Sequence, residues 1–224
     1  MLQVICLDIT SVQEEQYNKL FEQASQERKT KANRFLHRED AKRCILGEAL
    51  LKRCYQELFS GEKFPKIVVS DSGKPYFKGV DKVHFNISHS GKWVVAAVSD
   101  QEVGIDVEKV CVQSDSVLKA VLTEKEYATI VNIPEQDDFF VRYWTIKESY
   151  VKLLGQGLRI HPGTLEIEKI QKKCKVSSIR LDEEYWLSVC GSCKVKKVEF
   201  VFFYVEKGML NPLNLNDFIN KTIF

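Results

Sequence analysis

The sequence predicts an α+β protein, on three observations. Each half of the 224-residue chain holds helical periodicity together with a group of short β-like stretches joined by tight turns, the pattern of antiparallel strands beside packed helices. The stretch Val103-Gly104-Ile105-Asp106-Val107-Glu108 alternates apolar and polar residues, the period of a half-buried strand. Farther on, Tyr143, Ile146, Tyr150, Leu153 and Leu154 recur at helical spacing and predict a buried stripe.

Taken in order, Met1 to Asp8 reads as a strand. Ser11 with Glu14 makes a capping box ahead of a helix with Tyr17, Leu20, Phe21 and Ala24 inward. A second helix is expected over about 27–35. A third runs from near Glu39 to Phe59 with Ala41, Ile45, Ala49 and Leu50 inward, and Gly61 and Pro65 break it. Ile67 to Val69 is a strand, and Asp71-Ser72-Gly73-Lys74-Pro75 a turn. Val83 to Ile87 and Trp93 to Val98 form a hairpin across a connection at Ser88 to Lys92, and the Asp-x-Glu strand follows. Thr123 with Glu126 caps a further helix. Asp137 or Asp138 caps the next, which Gly155 ends. Strands are expected again at Thr164 to Ile170, Cys174 to Leu181, Tyr185 to Cys190 and Val195 to Val205. No sequence repeat or long linker stands out.

A chain of this length is one large domain or two small ones. Its net charge of +2 is close to neutral, which excludes a general polyanion binder and makes any basic site a local one. Seven cysteines without a disulfide framework point to free thiols in a reducing compartment. Cys190-Gly-Ser-Cys193 lacks the second pair a zinc site needs. No apolar run approaches the ~20 residues of a membrane span, and the N-terminus is unlike a signal peptide. A soluble, cytoplasmic protein is expected.

Three constellations carry chemistry. On a strand, Asp106 and Glu108 project from one face, while Val103, Ile105 and Val107 face a core. Two adjacent carboxylates repel unless a cation lies between them. Trp144, Glu148 and Lys152 follow at i, i+4, i+8 on a helix, so a third carboxylate comes with a lysine one turn away. The bland reading is a pair of exposed strand acids and an ordinary helix ion pair. Arg28, Lys29, Lys31, Arg34, Arg38, Lys42 and Arg43 form a basic cluster, which is either a solvated helix face or a phosphate grip. Asn86-Ile87-Ser88-His89-Ser90-Gly91 is either a plain turn or a rigid loop presenting hydroxyl, imidazole and amides to a phosphate. Together they predict a divalent-metal site acting on a phosphorylated, nucleotide-like ligand.

The same blocks resemble the 4′-phosphopantetheinyl transferases of the surfactin-synthetase-activating (Sfp-type) class. The matching pieces are Arg34-Phe35 through Asp40-Ala41-Lys42-Arg43 with Leu46-Gly47, Gly73-Lys74-Pro75, Phe85 to Ser90, Val103 to Glu108, and Trp144 to Ser149 with Lys152. They span about residues 25 to 160. The stretch after Pro162 matches only in length and β character.

The resemblance implies two similar α/β subdomains related by a pseudo-twofold axis, residues 1–104 and 105–224, each a small, mainly antiparallel sheet with packed helices. It implies a monomer that transfers 4′-phosphopantetheine from coenzyme A to a serine of an apo acyl or peptidyl carrier protein and releases adenosine 3′,5′-bisphosphate. Fatty-acid, polyketide and nonribosomal-peptide carriers all offer such a serine. It implies dependence on Mg²⁺, or Mn²⁺ in its place, with Asp106, Glu108 and Glu148 as ligands. Glu148 and Lys152 are the catalytic candidates. Arg28, Lys31 and Arg43 correspond to the grip on the 3′-phosphate, and Lys74, Ser88 and His89 to adenine and phosphate contacts. Residues 110–133 correspond to the carrier-protein surface. No nucleic-acid or membrane partner is expected. The alternative reading is a metal-dependent phosphohydrolase of a small nucleotide, with water as the nucleophile.

Overall fold

The computed structural model describes residues 2–59, 62–195 and 197–212. Met1 and Gly61, expected to start a strand and to break a helix, lie outside the described residues. Strand β1 (Leu2–Asp8) serves two cores at once. Ile5 and Leu7 enter one core and Leu2, Val4 and Cys6 the other, as a period of two requires. Asp8 then caps a short 3₁₀ turn, Ile9–Ser11, and the Ser11 hydroxyl donates to the Asp8 carbonyl at 2.7 Å. Ser11 is thereby taken. Helix α1 (Glu14–Gln23) starts instead from Gln13, whose N–H donates to Gln16 Oε1 at 2.8 Å. The expected Ser11–Glu14 box is thus displaced by two residues. Helix α2 (Gln26–Ala32) ends before its expected limit, and α3 (Arg38–Leu58) follows.

Strands β2 (Ile67–Val69) and β3 (Pro75–Phe77) form a small hairpin, whose turn uses Gly73 at φ 87°. Strand β4 (His84–Ser90) runs farther than expected, so its turn to β5 (Trp93–Ser99) narrows to Gly91 and Lys92. Strand β6 (Val103–Lys109) follows, then helices α4 (Asp115–Val121), α5 (Glu124–Ile130) and α6 (Gln136–Leu154). Thr123 and Glu126 form the expected capping box of α5. Gly155 ends α6 at φ 64°, where a Cβ would be strained. Glu135 rather than Asp137 or Asp138 is the N-cap of α6. The two aspartates sit in its first turn and accept from the Gln113 N–H and the Trp186 indole.

The stretch Thr164 to Ile170, expected as a strand, falls instead in a 3₁₀ turn, Pro162–Thr164, and helix α7 (Ile167–Lys173). Two tertiary contacts outweigh the local pattern. The Ile167 N–H donates to Glu126 Oε1 at 3.1 Å, and Ile170 is buried beneath α6. Strands β7 (Cys174–Asp182), β8 (Tyr185–Ser192), β9 (Val198–Glu206) and β10 (Met209–Pro212) complete the described chain. Strand β10 had no signal in the sequence reading.

Two larger sheets result, one in the order β10-β9-β1-β5-β4 and one in the order β6-β8-β7. The C-terminal β9 lies parallel to β1, inside the sheet begun by the N-terminus. Helix α3 covers one face of the five-stranded sheet with Ile45, Leu46 and Leu50. The three-stranded sheet packs on its other face through Val103, Ile105, Val107, Leu187 and Val189. Helix α6 covers the outer face of the smaller sheet, meeting Cys190 with Ile146 and Tyr150. Its approach is close because residue 104 is glycine: a Cβ there would lie 2.1 Å from the Ser149 carbonyl oxygen. The described residues thus form an α+β fold with seven helices and several small sheets.

Candidate active site

The site forms where β4 runs alongside β6. On one edge β6 pairs with β8, so the N–H groups of Ile105 and Val107 on its other edge need separate acceptors. Asn86 and Ser88 supply them. The Ile105 N–H donates to Asn86 Oδ1 at 3.0 Å and the Val107 N–H to Ser88 Oγ at 3.4 Å. Both steps are nineteen residues apart, so the strands run parallel, one side chain's width apart. The side chains of Asn86, Ser88 and Ser90 therefore share one face by the period of two, and that face borders the carboxylates.

Asp106 is 3% exposed. Its Oδ1 accepts from the Ser88 hydroxyl at 2.9 Å and from Lys152 Nζ at 2.5 Å, and Lys152 also donates to Ser88 Oγ at 3.0 Å. Its Oδ2 is buried with no hydrogen-bond partner. Glu108 Oε2 accepts from the Ser90 hydroxyl at 2.8 Å. Glu148 comes from the α6 turn before Lys152. Burial pushes all three carboxyls above their ordinary range, with the Asp106 charge the next cause for Glu108 and Glu148. Lys152 partly opposes this, most directly at Asp106.

A buried acceptor with no donor, on a carboxylate whose charge acts on two others, is the donor chemistry of a hard divalent cation. The residues present fit such an ion. Among the described residues, however, no three His, Cys, Asp or Glu side chains already stand in positions that would hold one. In this arrangement the compensating charge on Asp106 is Lys152.

The other sequence-predicted residues divide into groups. His89 lies at the exposed rim, where desolvation and then the Arg43 and Lys152 charges hold its imidazole below the ordinary range. Arg43 donates to the Gly91 carbonyl and to Asp40 Oδ1, both at 2.6 Å. Ser88, His89, Arg43, Asp106, Glu108, Glu148 and Lys152 therefore interact as one constellation. Arg28 pairs with Glu48 at 3.2 Å, tying α2 to α3, and Lys31 is solvent-exposed. Lys74 donates to the Leu153 carbonyl at 2.9 Å and to Glu102 at 2.6 Å. It lines a cavity of about 930 Å³ with His84, Glu102, Leu153 and Gly155, at the end of β4 opposite Ser90. These two bonds do not join Lys74 to Asp106, Glu108 or Glu148.

Sequence reasoning missed Asn86 and Ser90 as individual contributors, although their spacing from Ser88 was the available signal. It also missed Lys147, which is fully buried between the expected surface stripe and the core. Its Nζ donates to Glu126 Oε2 at 2.6 Å, to the Val121 carbonyl at 2.8 Å and to the Pro162 carbonyl at 3.2 Å. One ammonium thus fastens α4, α5 and the turn before α7 to the helix bearing Glu148. Leu154, expected inward, is 41% exposed instead.

Residues 102–195 match the 4′-phosphopantetheinyl transferase superfamily, and residues 11–101 match the family described as 4′-phosphopantetheinyl transferase, N-terminal. The chain is 32% identical over 183 residues to the 4′-phosphopantetheinyl transferase Sfp of Bacillus subtilis (strain 168), covering 75% of this chain and 82% of that one. The chain belongs to the 4′-phosphopantetheinyl transferases. It is also 30% identical over 194 residues to the 4′-phosphopantetheinyl transferase ffp of Bacillus subtilis, covering 80% and 87% of the two chains. The human L-aminoadipate-semialdehyde dehydrogenase-phosphopantetheinyl transferase is 27% identical over 190 residues, covering 71% of this chain and 60% of that one. As a transferase of this type, the enzyme carries the 4′-phosphopantetheinyl group from coenzyme A to carrier proteins, and the phosphohydrolase alternative is set aside. No described helix is long and apolar enough to cross a membrane.

Proposed function

We propose that the transfer takes place at the Asp106–Glu108–Glu148–Lys152 cluster, with a serine of an apo acyl or peptidyl carrier protein as acceptor. The single observation that carries this placement is Asp106: a buried carboxylate with one oxygen bonded to Lys152 and Ser88 and the other without a donor. Asp106, Glu108 and Glu148 would hold Mg²⁺, or Mn²⁺ in its place. Such an ion would neutralise the pyrophosphate of coenzyme A.

In the reaction the serine Oγ bonds to the β-phosphorus. The bond from that phosphorus to the bridging oxygen breaks, and adenosine 3′,5′-bisphosphate leaves with the electron pair. Lys152 is one helical turn from Glu148, and its ammonium can pass from Asp106 to the leaving phosphate as charge grows there. Glu148 takes the serine proton, directly or through a water. Burial raises its proton affinity toward that role. Arg43 and His89, which lie within reach of each other's electrostatic influence at the rim, receive the 3′-phosphate end of the coenzyme, with Arg28 and Lys31 beyond them. Ser88 orients Asp106 and Lys152. Lys74 borders the nucleotide from the far cavity.

Residues 1–104 supply the nucleotide contacts and residues 105–224 the carboxylates and the carrier surface over 110–133. A long helix lying on a sheet in each half, α3 and α6, supports the pseudo-twofold relation. Seven free cysteines support a cytoplasmic enzyme, which we take to act as a monomer. The test is incubation with coenzyme A, Mg²⁺ and a panel of apo carriers. A mass gain of one phosphopantetheine on the carrier, abolished by Asp106→Ala with the fold intact, supports the reading. Breakdown of coenzyme A without that gain, or near-normal transfer by Asp106→Ala, overturns it.

A further inference from the structure

The end of β4 carries Ser90, which bonds Glu108, and the turn that follows carries the Gly91 carbonyl, which accepts from Arg43. Its placement therefore sets how far the rim residues stand from the carboxylates. Arg43 from α3 holds it on one side. On the other side stands the turn between β7 and β8. The Tyr185 hydroxyl is so close to Gly91 that a Cβ on the glycine would lie 2.0 Å from it. The Lys92 N–H points at the same hydroxyl at 3.4 Å. Asp182 Oδ2 accepts from the Trp93 indole at 2.8 Å and pairs with Lys92 Nζ at 2.9 Å, while its Oδ1 is fixed by the Glu184 N–H at 2.8 Å.

Tyr185 is opposite Lys109 in the β6–β8 register, and its neighbour Trp186 is opposite Glu108. The strand pair that bears Glu108 therefore also bears the hydroxyl against which the rim turn rests. The ring of Tyr185 is already packed in the core between the two sheets, so its apolar part accounts for the packing there. The hydroxyl is the part that reaches the turn. Gly91, at φ 49°, allows that approach because it lacks a side chain.

We propose that Tyr185 and Asp182 are positioning residues for coenzyme binding: they fix the Gly91-Lys92 turn, and with it the His89-Ser90 end of β4, at one distance from Glu108. This rests on the reading that the rim turn meets the coenzyme. The test first establishes transfer to an apo carrier by the wild type, then measures KM for coenzyme A, kcat and Tm for Y185F, D182N, G91A and the double variant G91A/Y185F. Y185F and D182N should each raise KM for coenzyme A about three- to ten-fold, the scale of one hydrogen bond, with kcat little changed. G91A should be worse, because its methyl meets the hydroxyl and its backbone is strained. Removing that hydroxyl in the double variant should restore part of the loss.

An unchanged KM in Y185F and D182N overturns the proposal, whether or not Tm falls, since a merely structural contact would lower Tm alone. A double variant no better than a folded G91A overturns it too. If G91A does not fold, Y185F and D182N decide by themselves. Absence of transfer by the wild type would instead overturn the assignment of the reaction.

Discussion

At the residue scale, the carboxylates are costly to the protein that carries them. Their carboxyls are raised by burial, so in the native state they bind protons at a higher pH than in the unfolded chain. Between the unfolded value of ~4 and the raised native values, the folded state holds more protons and stability falls as pH rises. With metal chelated, the wild type should therefore gain stability from these groups as pH is lowered toward the unfolded value of ~4, and the triple variant D106N/E108Q/E148Q should lose that gain. Melting curves in chelator across this range check it, and equal pH slopes for the two proteins would contradict it. Glu148 carries a second expectation. Glu148→Gln keeps the shape and removes the base, so at saturating Mg²⁺ transfer should stay down by about 10²–10⁴-fold with coenzyme binding retained. Full rescue by Mg²⁺ in a titration would leave Glu148 as a ligand alone.

At the scale of elements, the site depends on how closely α6 lies on β6. Gly104→Ala would place a methyl 2.1 Å from the Ser149 carbonyl oxygen and 2.3 Å from the Leu153 amide nitrogen. Neither can yield without moving the helix that carries Glu148 and Lys152. We expect a loss of ~1–3 kcal/mol by denaturant unfolding, the usual range for overpacking, and a loss of transfer larger than that destabilisation explains. Lys147 acts on the same helix from the other side. Its ammonium is fully buried with a nearly buried partner, Glu126. Lys147→Met leaves that carboxylate unpaired and two carbonyls without their donor, so ~3–5 kcal/mol should be lost, and a near-neutral result in urea titration would refute the role. Sequence periodicity placed α6 well yet put Leu154 inward and overlooked Lys147. A pattern of apolar residues cannot show which neighbouring carbonyls will converge on a buried amine.

For the whole molecule, the arrangement of layers decides which thiols are reachable. Cys111 and Cys193 are exposed, while Cys6, Cys44, Cys54, Cys174 and Cys190 are buried. Burial raises the Cys6 thiol strongly and pushes Cys54 up to about 12. A thiol reagent at about pH 8 should therefore label two cysteines quickly in the native protein and the remaining five only on unfolding, because burial keeps the reagent from them. Mass spectrometry of the labelled protein reads the count, and rapid labelling of Cys54 would show that the β1–α3 core is open.

The sequence by itself determined most of the element order and the chemistry of the site. Alternation in Val103 to Glu108 put Asp106 and Glu108 on the face away from the core, and the helical spacing of Trp144, Glu148 and Lys152 put the third carboxylate beside a lysine, because both periods are local properties of the backbone. Only the tertiary structure decided what those residues meet. It brought Ser88 from β4 to Asp106, turned Thr164 to Ile170 from an expected strand into a turn and helix, and placed β9 beside β1. Each of these rests on a hydrogen bond or a buried face supplied by a segment far away in the chain, and the energy of such contacts is absent from any local pattern.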